Sequence, residues 1–405
     1  RRGRRGTGPR GARRLEAQTL TEARGVERGR GIQGALERSW NAAPGAWAWT
    51  RLFAPAAAVY GAGSALSRAR AARRRAGIEG GYVVSVGGLT VGGAGKTTLA
   101  RWLARESLAR GARPAIVLRG HGRSPEFAGS FVVPDFEGYP LRAAFERAGD
   151  EAAAHRAALA LGATVAVDPD RRRAAWRTRS GYGATLWILD DGWEQETLAW
   201  NELWVAVDPR RPVGNGALLP AGPLRRPEGT LRGATVIAFV LDEAEEGVPR
   251  ETEEWAAARA PSALKLRFRR VLEGAAPLGG RAVEPWRPGV RAAMVSGVGA
   301  PERLTRFARS SGIDLVSHAA FPDHVRWSGP ELSRAIERAA REGAEVVLIT
   351  EKDEPRWPGD AAFKLPVRVL RSTLRALDPV DRALERMTAA SRAETSRPAE
   401  GAARR

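Results

Sequence analysis

The chain has 405 residues, 43% of them hydrophobic, with 65 Lys+Arg against 46 Asp+Glu and a formal net charge of +19. That length holds two ordinary domains, and the charge implies attraction to polyanions: nucleic acid, an anionic membrane surface or phosphorylated substrates. There is no cysteine, which excludes a disulfide framework, a thiolate metal site and a cysteine nucleophile.

Residues 1–45 are rich in Arg, Gly and Glu with few large apolar side chains, a composition that predicts a disordered tail. The texture changes over residues 46–76. Trp47, Trp49, Leu52, Phe53, Val59, Tyr60 and Leu66 sit among alanines, and Arg68, Arg70, Arg73, Arg74 and Arg75 follow. The apolar part, Leu52 to Leu66, is shorter than the roughly 20 residues that cross a bilayer. Aromatics at one end and cations at the other predict an amphipathic helix lying in the interface of an anionic membrane. The alternative is a helix packed on its own domain, and Pro55 and Gly61 argue against a straight one.

A β-branched run, Val83 to Val86, then enters Gly87-Gly88-Leu89-Thr90-Val91-Gly92-Gly93-Ala94-Gly95-Lys96-Thr97-Thr98, and a helix is predicted from Leu99 to Arg110. This is the layout of a phosphate-binding loop. Backbone N–H groups of Gly92, Gly93, Ala94 and Gly95 curl round an anion, the helix start at Thr97 and Thr98 adds partial positive charge, Lys96 reaches the β/γ-phosphates, and the Thr97 hydroxyl ligates Mg²⁺. The strict motif wants glycine where Thr90 stands, so the loop is a variant. Lys96, Lys265, Lys352 and Lys364 are the chain's lysines. In a protein that otherwise uses arginine, a lysine at the loop marks a place where a compact ammonium is required.

Apolar runs of strand length follow, at Ala115–Leu118, Thr164–Val167, Leu186–Leu189, Leu203–Val207 and Val236–Val240, separated by helical stretches. The alternation predicts a parallel sheet flanked by helices, with ligands at the strands' C-terminal ends. Residues at those ends carry chemistry. Arg119-Gly120-His121-Gly122-Arg123 offers Arg119 and Arg123 beside glycines, suited to phosphate oxygens or to a plain surface turn. Gly149-Asp150-Glu151 opens an alanine-rich helix, where capping alone would also explain both acids. Asp190-Asp191-Gly192 ends an apolar strand in two carboxylates, an arrangement that holds Mg²⁺ opposite a phosphate loop. The loops containing Asn215 and Arg225 are dense in Pro and Gly, and long ordered loops tend to be functional.

An acidic stretch from Asp242 to Glu254 marks a boundary, so residues 77–242 form one predicted domain and 243–385 a second, smaller α/β domain, with 386–405 a flexible tail. In the second, Ala292–Val295 runs into Ser296-Gly297-Val298-Gly299-Ala300-Pro301 without a following lysine, which argues against a second nucleotide site. Strands are also predicted at Asp314–Val316 and Val346–Ile349. His324, in Phe321-Pro322-Asp323-His324, is the histidine best placed to handle a proton near neutral pH.

These motifs, in this order and together with Leu219-Pro220-Ala221-Gly222-Pro223-Leu224-Arg225 and Thr350-Glu351-Lys352-Asp353, resemble those of the tetraacyldisaccharide 4'-kinases of lipid A assembly over about Trp47 to Leu384. The resemblance implies a P-loop kinase-like α/β fold and transfer of the γ-phosphoryl of ATP to the 4'-hydroxyl of a lipid-linked glucosamine disaccharide, at the cytoplasmic face of the inner membrane. It implies that Lys96 neutralises phosphate charge, that Thr97, Asp190 and Asp191 hold Mg²⁺, that Asp150 accepts the sugar proton and that His324 tunes or relays it. Arg119, Arg123, Glu151, Asn215 and Arg225 are then candidates for substrate contact. The chain departs from the family pattern at Gly88, His121, Ala152, Trp193-Glu194-Gln195, Arg226 and Val325. Two alternatives come from other classes. A guanine-nucleotide switch needs Asn/Thr-Lys-x-Asp, whereas Thr350-Glu351-Lys352-Asp353 sets Lys beside Asp. A nucleic-acid-binding ATPase would interleave its charge with aromatics on one face, whereas much of the excess lies in Arg-rich flanks, so no specific nucleic acid is expected.

Overall fold

A computed structural model describes residues 39–40, 50–120, 123, 129–133, 146–155, 162–194, 197–243, 245–280, 282–322, 327, 329–358 and 363–395. The tail over 1–38, the tryptophans 47 and 49, the pair His121-Gly122 and the pair Asp323-His324 lie outside them. The strands are β1 (Tyr82–Gly88), β2 (Pro114–Leu118), β3 (Phe131–Val133), β4 (Thr164–Val167), β5 (Leu186–Leu189), β6 (Glu202–Val207), β7 (Val236–Leu241), β8 (Leu264–Pro277), β9 (Arg291–Ser296), β10 (Asp314–Ala320), β11 (Val346–Thr350) and β12 (Val367–Ala376). Among the described residues they form one 12-stranded sheet in the order β10-β9-β11-β12-β8-β7-β6-β1-β5-β2-β4-β3. Every neighbouring pair is parallel except β3–β4 and β8–β12.

Each predicted strand is present within a few residues of its expected ends. The apolar runs are continuous because both faces are covered. In β5, Leu186 and Ile188 face the core of α2 (Lys96–Ala109), with Leu99 and Leu103, and of α8 (Asp381–Thr395), with Leu384 and Met387. Trp187 and Leu189 face the other side, against Ala174 and Ala175 of α4 (Arg171–Tyr182). Residues 386–395, expected to begin a flexible tail, form the latter part of α8, where Met387, Thr388 and Ser391 are buried.

The apolar runs do not predict β8 or β12. Both alternate apolar residues with arginine, as in Leu266-Arg267-Phe268-Arg269, the pattern of strands with one wet face. β8 is the longest strand: Leu264–Arg269 pairs with β7 and Phe268–Pro277 with β12, so a single strand carries the sheet from one half of the chain to the other.

The predicted interfacial helix is α1 (Ala54–Arg73), with Pro55 tolerated in its first turn. Its sidedness is inverted relative to a core-packing helix. Tyr60, Ser64 and Arg68 are partly covered against the protein, while Leu52, in the turn that leads into the helix, Val59 and Leu66, seven residues apart, are 80%, 74% and 51% exposed. Gly61 permits the approach, since a Cβ there would lie 2.9 Å from Leu218. Among the described residues no helix is long and apolar enough to cross a membrane.

Candidate functional site

The site begins where β1 ends. Gly92 and Gly95 take φ of 106° and 96°, a left-handed conformation open to glycine, and turn the chain into α2. The loop is pinned from outside. Val91 N–H donates to the Pro223 carbonyl, Arg225 N–H donates to the Leu89 carbonyl, and Arg303 of α6 (Pro301–Ser310) donates to the Gly93 carbonyl at 2.8 Å. The first N–H groups of α2 have no intrahelical acceptor, so they are available to an anion. Lys96 lies back along the loop, its Nζ 3.9 Å from Asp191 Oδ1, and burial holds its pKa below the ordinary lysine value.

Asp190 and Asp191 leave the end of β5, which lies next to β1 in the sheet. Asp191 has a φ of 48° and is followed by Gly192, where a Cβ would stand 2.5 Å from Leu189 Cβ and 2.6 Å from Ser85 Oγ. This tight turn aims both carboxylates toward the loop. Burial opposes their ionisation, yet Lys96 and the Arg225 guanidinium, 2.6 Å from Asp191 Oδ2, hold the Asp191 carboxyl at about 2. Asp190 is also held below the ordinary range against burial, through a 3.0 Å hydrogen bond from His155 Nε2 to Oδ2. One oxygen of each carboxylate, Asp190 Oδ1 and Asp191 Oδ1, is buried with no hydrogen-bond partner. Magnesium asks for one or two carboxylates beside phosphate oxygens and water, so these orphaned oxygens and the Thr97 hydroxyl fit it. No cluster of three or more His, Cys, Asp or Glu of the kind that encloses a metal occurs among the described residues.

Arg171, at the start of α4, braces the acid turn from behind. It is 4% exposed and donates to the carbonyls of Val117, Asp190 and Asp191. Burial lowers its pKa, and Asp191 and Asp190 oppose that. It stands in an arginine triplet, and no sequence signal separates it from Arg172 and Arg173, which are exposed. His155 was equally hidden: it follows a run of alanines, and only the fold sets it against Asp190.

Asp150 opens α3 (Asp150–Ala154). The far end of this short helix is fastened by Arg101 of α2, which donates to the Ala154 carbonyl at 2.8 Å, and by the His155–Asp190 bond. A five-residue helix rises only about 8 Å, so the backbone of Asp150 starts within that reach of the group holding Asp190. Glu151, on the same helix, is partly buried and acts electrostatically on Arg171. Arg119 is exposed at the end of β2 and also acts on Arg171, whereas Arg123 donates to the Gly129 carbonyl at 2.8 Å. Asn215 is 3% exposed, and both ends of its amide bond within the loop, Nδ2 to the Ala221 carbonyl and Oδ1 from Ala217 N–H. It therefore holds the Pro/Gly-rich loop in shape. His324 lies outside the described residues.

A cavity of about 380 Å³ opens between the polar side of α1 and the residues after the acid turn, lined by Tyr60, Ser64, Ser67, Arg68, Glu194 and Arg226. Here two departures from the resembled family pair with one another. Arg226 bonds Glu194 at 3.2 Å, donates to the Trp193 carbonyl and lies 4.8 Å from the centre of the Trp193 ring. Tyr60 donates to the Arg225 carbonyl at 3.2 Å, tying α1 directly to a residue that holds Asp191.

Comparison with known proteins shows the family. The family model described as tetraacyldisaccharide-1-P 4'-kinase matches residues 49–389. A tetraacyldisaccharide 4'-kinase of Geobacter sulfurreducens is 34% identical over 73% of this chain and 80% of its own length. One of Anaeromyxobacter dehalogenans is 36% identical over 75% and 80%. In three dimensions the chain is similar to the apo form of LpxK from Aquifex aeolicus in complex with ATP, with a TM-score of 0.64 and 22% identity, over 84% of this chain and 99% of that one.

Proposed function

The chain belongs to the tetraacyldisaccharide-1-P 4'-kinase family, and from that premise we propose how its own residues move the γ-phosphoryl of ATP to the 4'-hydroxyl of a lipid-linked glucosamine disaccharide, a lipid A precursor. The observation that carries the assignment is the meeting of Lys96, Asp191 and Arg225 at the mouth of one glycine loop, each basic group within 3.9 Å of Asp191, with Asp190 next to it in the same turn. In phosphoryl transfer the protein's work is positioning and charge neutralisation. Gly92 to Gly95 and the first turn of α2, through Thr97 and Thr98, cradle the phosphate chain, and Lys96 moves from Asp191 to the β/γ-phosphates as they enter. Thr97, Asp190 and Asp191 are the residues that would hold Mg²⁺, which when bound neutralises charge on the transferring group.

Asp150 accepts the proton of the sugar hydroxyl as its oxygen bonds to the γ-phosphorus and the bond to the β–γ bridging oxygen breaks, ADP leaving with the electron pair. His324 tunes or relays that proton. Arg119, Arg123, Glu151 and Arg225 surround the acceptor, and Asn215 keeps the 215–222 loop in place. The cavity beneath α1 is the right size and polarity for a sugar head group, with Arg68 and Arg226 offering positive charge. The outward stripe Leu52–Val59–Leu66 would enter the bilayer interface, so that an ATP site in water meets a substrate whose acyl chains stay in lipid. This supports a peripheral or monotopic enzyme at the cytoplasmic face of the inner membrane. Residues 77–242 and 243–385 act as two units of one sheet, joined through β8.

The test is incubation with labelled ATP and the lipid disaccharide, followed by location of the new phosphate. Asp150→Ala is expected to cut kcat by about 10²–10⁴, the usual worth of a general base, with KM for ATP unchanged. Intact turnover in that variant would leave Asp150 as a helix cap and nothing more.

A further inference from the structure

The stripe on α1 is not the whole of the basic and aromatic surface on its side of the sheet. Helix α4 reads Arg-Arg-Arg-Ala-Ala-Trp-Arg-Thr-Arg-Ser-Gly-Tyr, with five arginines and no acid. Its inward side is Ala174, Ala175 and Thr178, packed against β5, where Thr178 accepts from Trp187 Nε1. Its outward side is Arg172, Trp176, Arg177 and Ser180, all exposed, with Arg173 beside them paired to Asp168 at 2.7 Å; Trp176 is 64% exposed, and Tyr182 at the helix end is 43% exposed. Burying a tryptophan in the core stabilises a fold by a few kcal/mol, so one left outside a helix, ringed by guanidiniums, is unpartnered surface.

This face joins the basic end of α1. Arg179 of α4 donates to the carbonyls of Glu79 and Gly80, a few residues beyond Arg73, Arg74 and Arg75. Arg75 itself stacks 3.8 Å above the Trp200 ring. Ile78, between them, packs in the same cluster as Ala174 and Ala175. The arginines that close α1 and those that cover α4 thus adjoin on one side of the sheet, while α2 and α8 cover the other.

We propose that the outward face of α4 is a second membrane contact, which docks on anionic phospholipid head groups with Trp176 seated at the interface. The inference rests on the reading of α1 as an interfacial helix and extends it to a separate element. Charge complementarity supplies the attraction. Arginine binds phosphate in a bidentate fashion, and a lone amphipathic ring prefers the head-group level. Nucleic acid would suit the charge as well, but a strand-binding face displays several aromatics for successive bases to stack on, and here Trp176 stands with Tyr182 alone. Two contacts, one apolar and one electrostatic, would fix the tilt of the protein over the bilayer and so the direction from which the cavity beneath α1 meets the substrate.

The absence of cysteine makes the test direct. Full-length protein carrying Ser180→Cys, Leu66→Cys or Ala389→Cys is labelled with a polarity-sensitive fluorophore. It is then mixed with vesicles of phosphatidylcholine alone or of roughly seven parts phosphatidylcholine to three of phosphatidylglycerol. Labels at positions 180 and 66 are expected to shift to the blue on anionic vesicles, while that at 389, on exposed α8 surface across the sheet, stays unmoved. The double variant Arg172→Gln, Arg177→Gln is expected to lower partition onto anionic vesicles about 30-fold, with kcat on detergent-dispersed substrate unchanged. If position 66 responds and position 180 stays silent, α1 inserts and α4 does not, which overturns this inference alone. If both stay silent, the interfacial reading of α1 falls with it. A response at 180 to single-stranded RNA in preference to vesicles would assign the face to nucleic acid and equally overturn the proposal.

Discussion

The two halves of the sheet each contain a strand that runs into a glycine turn and then a helix: β1 into α2, and β9 into α6. The two turns look alike in sequence, Gly92-Gly93-Ala94-Gly95 and Gly297-Val298-Gly299-Ala300, but differ in what fills them. In the second, Gly297 N–H donates to Asp353 Oδ1 at 2.9 Å, and Asp353 in turn accepts from Thr350 N–H and Oγ1 and pairs with Arg356 at 2.9 Å. An internal carboxylate already occupies the place an anion would take. In the first turn no acid among the described residues reaches in; Lys96 waits beside Asp191, and the outside contact is to the carbonyl side, where Arg303 grips Gly93. One turn is therefore structural and the other receptive, and the structural one supplies the arginine that steadies the receptive one. Glycine content alone does not make a phosphate site. What decides is whether the donors are already satisfied from within.

The sharpest break in this comparison is Lys96→Ala. It removes the cation of the receptive turn while leaving the backbone cradle, and turnover is expected to fall by about 10³-fold or more. Chemical denaturation should find the fold little weakened, because Asp191 keeps its 2.6 Å partner Arg225 while the ammonium leaves with its desolvation cost. Residual turnover near the parent level would mean that the loop binds nothing that Lys96 touches.

How far this site was legible in the sequence follows from the range of each signal. Lys96, Asp190 and Asp191 were readable because strand, turn and helix sit within a few residues of one another, and local spacing implies local geometry. The alternation of apolar runs gave the parallel direction of most strands for the same reason. β8 and β12 escaped, since arginines punctuate them and their apolar face is completed by distant parts of the chain, as Phe268 is by Trp102 and Trp204. Arg171, His155 and Arg303 were invisible on different grounds. Each acts on a residue far away in the chain, and in a sequence with 65 Lys+Arg no individual arginine stands out. Asn215 drew notice through its glycine-rich setting, and that setting proved to be its partner, since its amide bonds the loop that surrounds it.

Arg303→Ala cuts the link between the two turns. The guanidinium is held by Asp242 at 2.9 Å and Asp208 at 3.3 Å, and donates to the carbonyls of Gly93 and Val240. Its removal leaves the buried Asp242 carboxylate with the longer 3.9 Å contact to Arg270 in place of a 2.9 Å pair, and a loss of about 3 kcal/mol is expected. Since Gly93 also loses its clamp, KM for ATP should rise alongside. A variant equally destabilised but with an unchanged KM would show that the first turn keeps its shape unaided. Asp353→Asn is the matched control in the structural turn. It removes the buried charge that Arg356 pairs with, at a cost of about 3 kcal/mol, yet the folded variant should keep the parent KM for ATP. A raised KM in this control would mean that the second turn is coupled to nucleotide binding after all.

The mildest expected effect is one of pH, and it belongs to the structural turn alone. His318 on β10 is 3% exposed and fastens the end of β9 to α6, with Nε2 2.7 Å from Ser296 Oγ and Nδ1 2.7 Å from Thr305 Oγ1. Burial pushes its pKa down to about 4, with Glu302 opposing and Arg309 assisting. A neutral ring donates from one nitrogen and accepts at the other, matching two hydroxyls that rotate to suit it. Because the folded pKa lies below the ordinary histidine value of about 6.5, the unfolded chain binds the extra proton first as pH falls. Stability contributed here is complete above about 6.5 and is lost progressively down to about 4. Between pH 7 and pH 5 the loss amounts to about 2 kcal/mol. Urea midpoints measured across that window should show the slope in the parent and lose that share of it in His318→Asn, whose amide still offers a donor and an acceptor but does not titrate. If the variant keeps the parent's full slope, the acid sensitivity of the fold arises elsewhere and His318 is ordinary packing between β10 and α6.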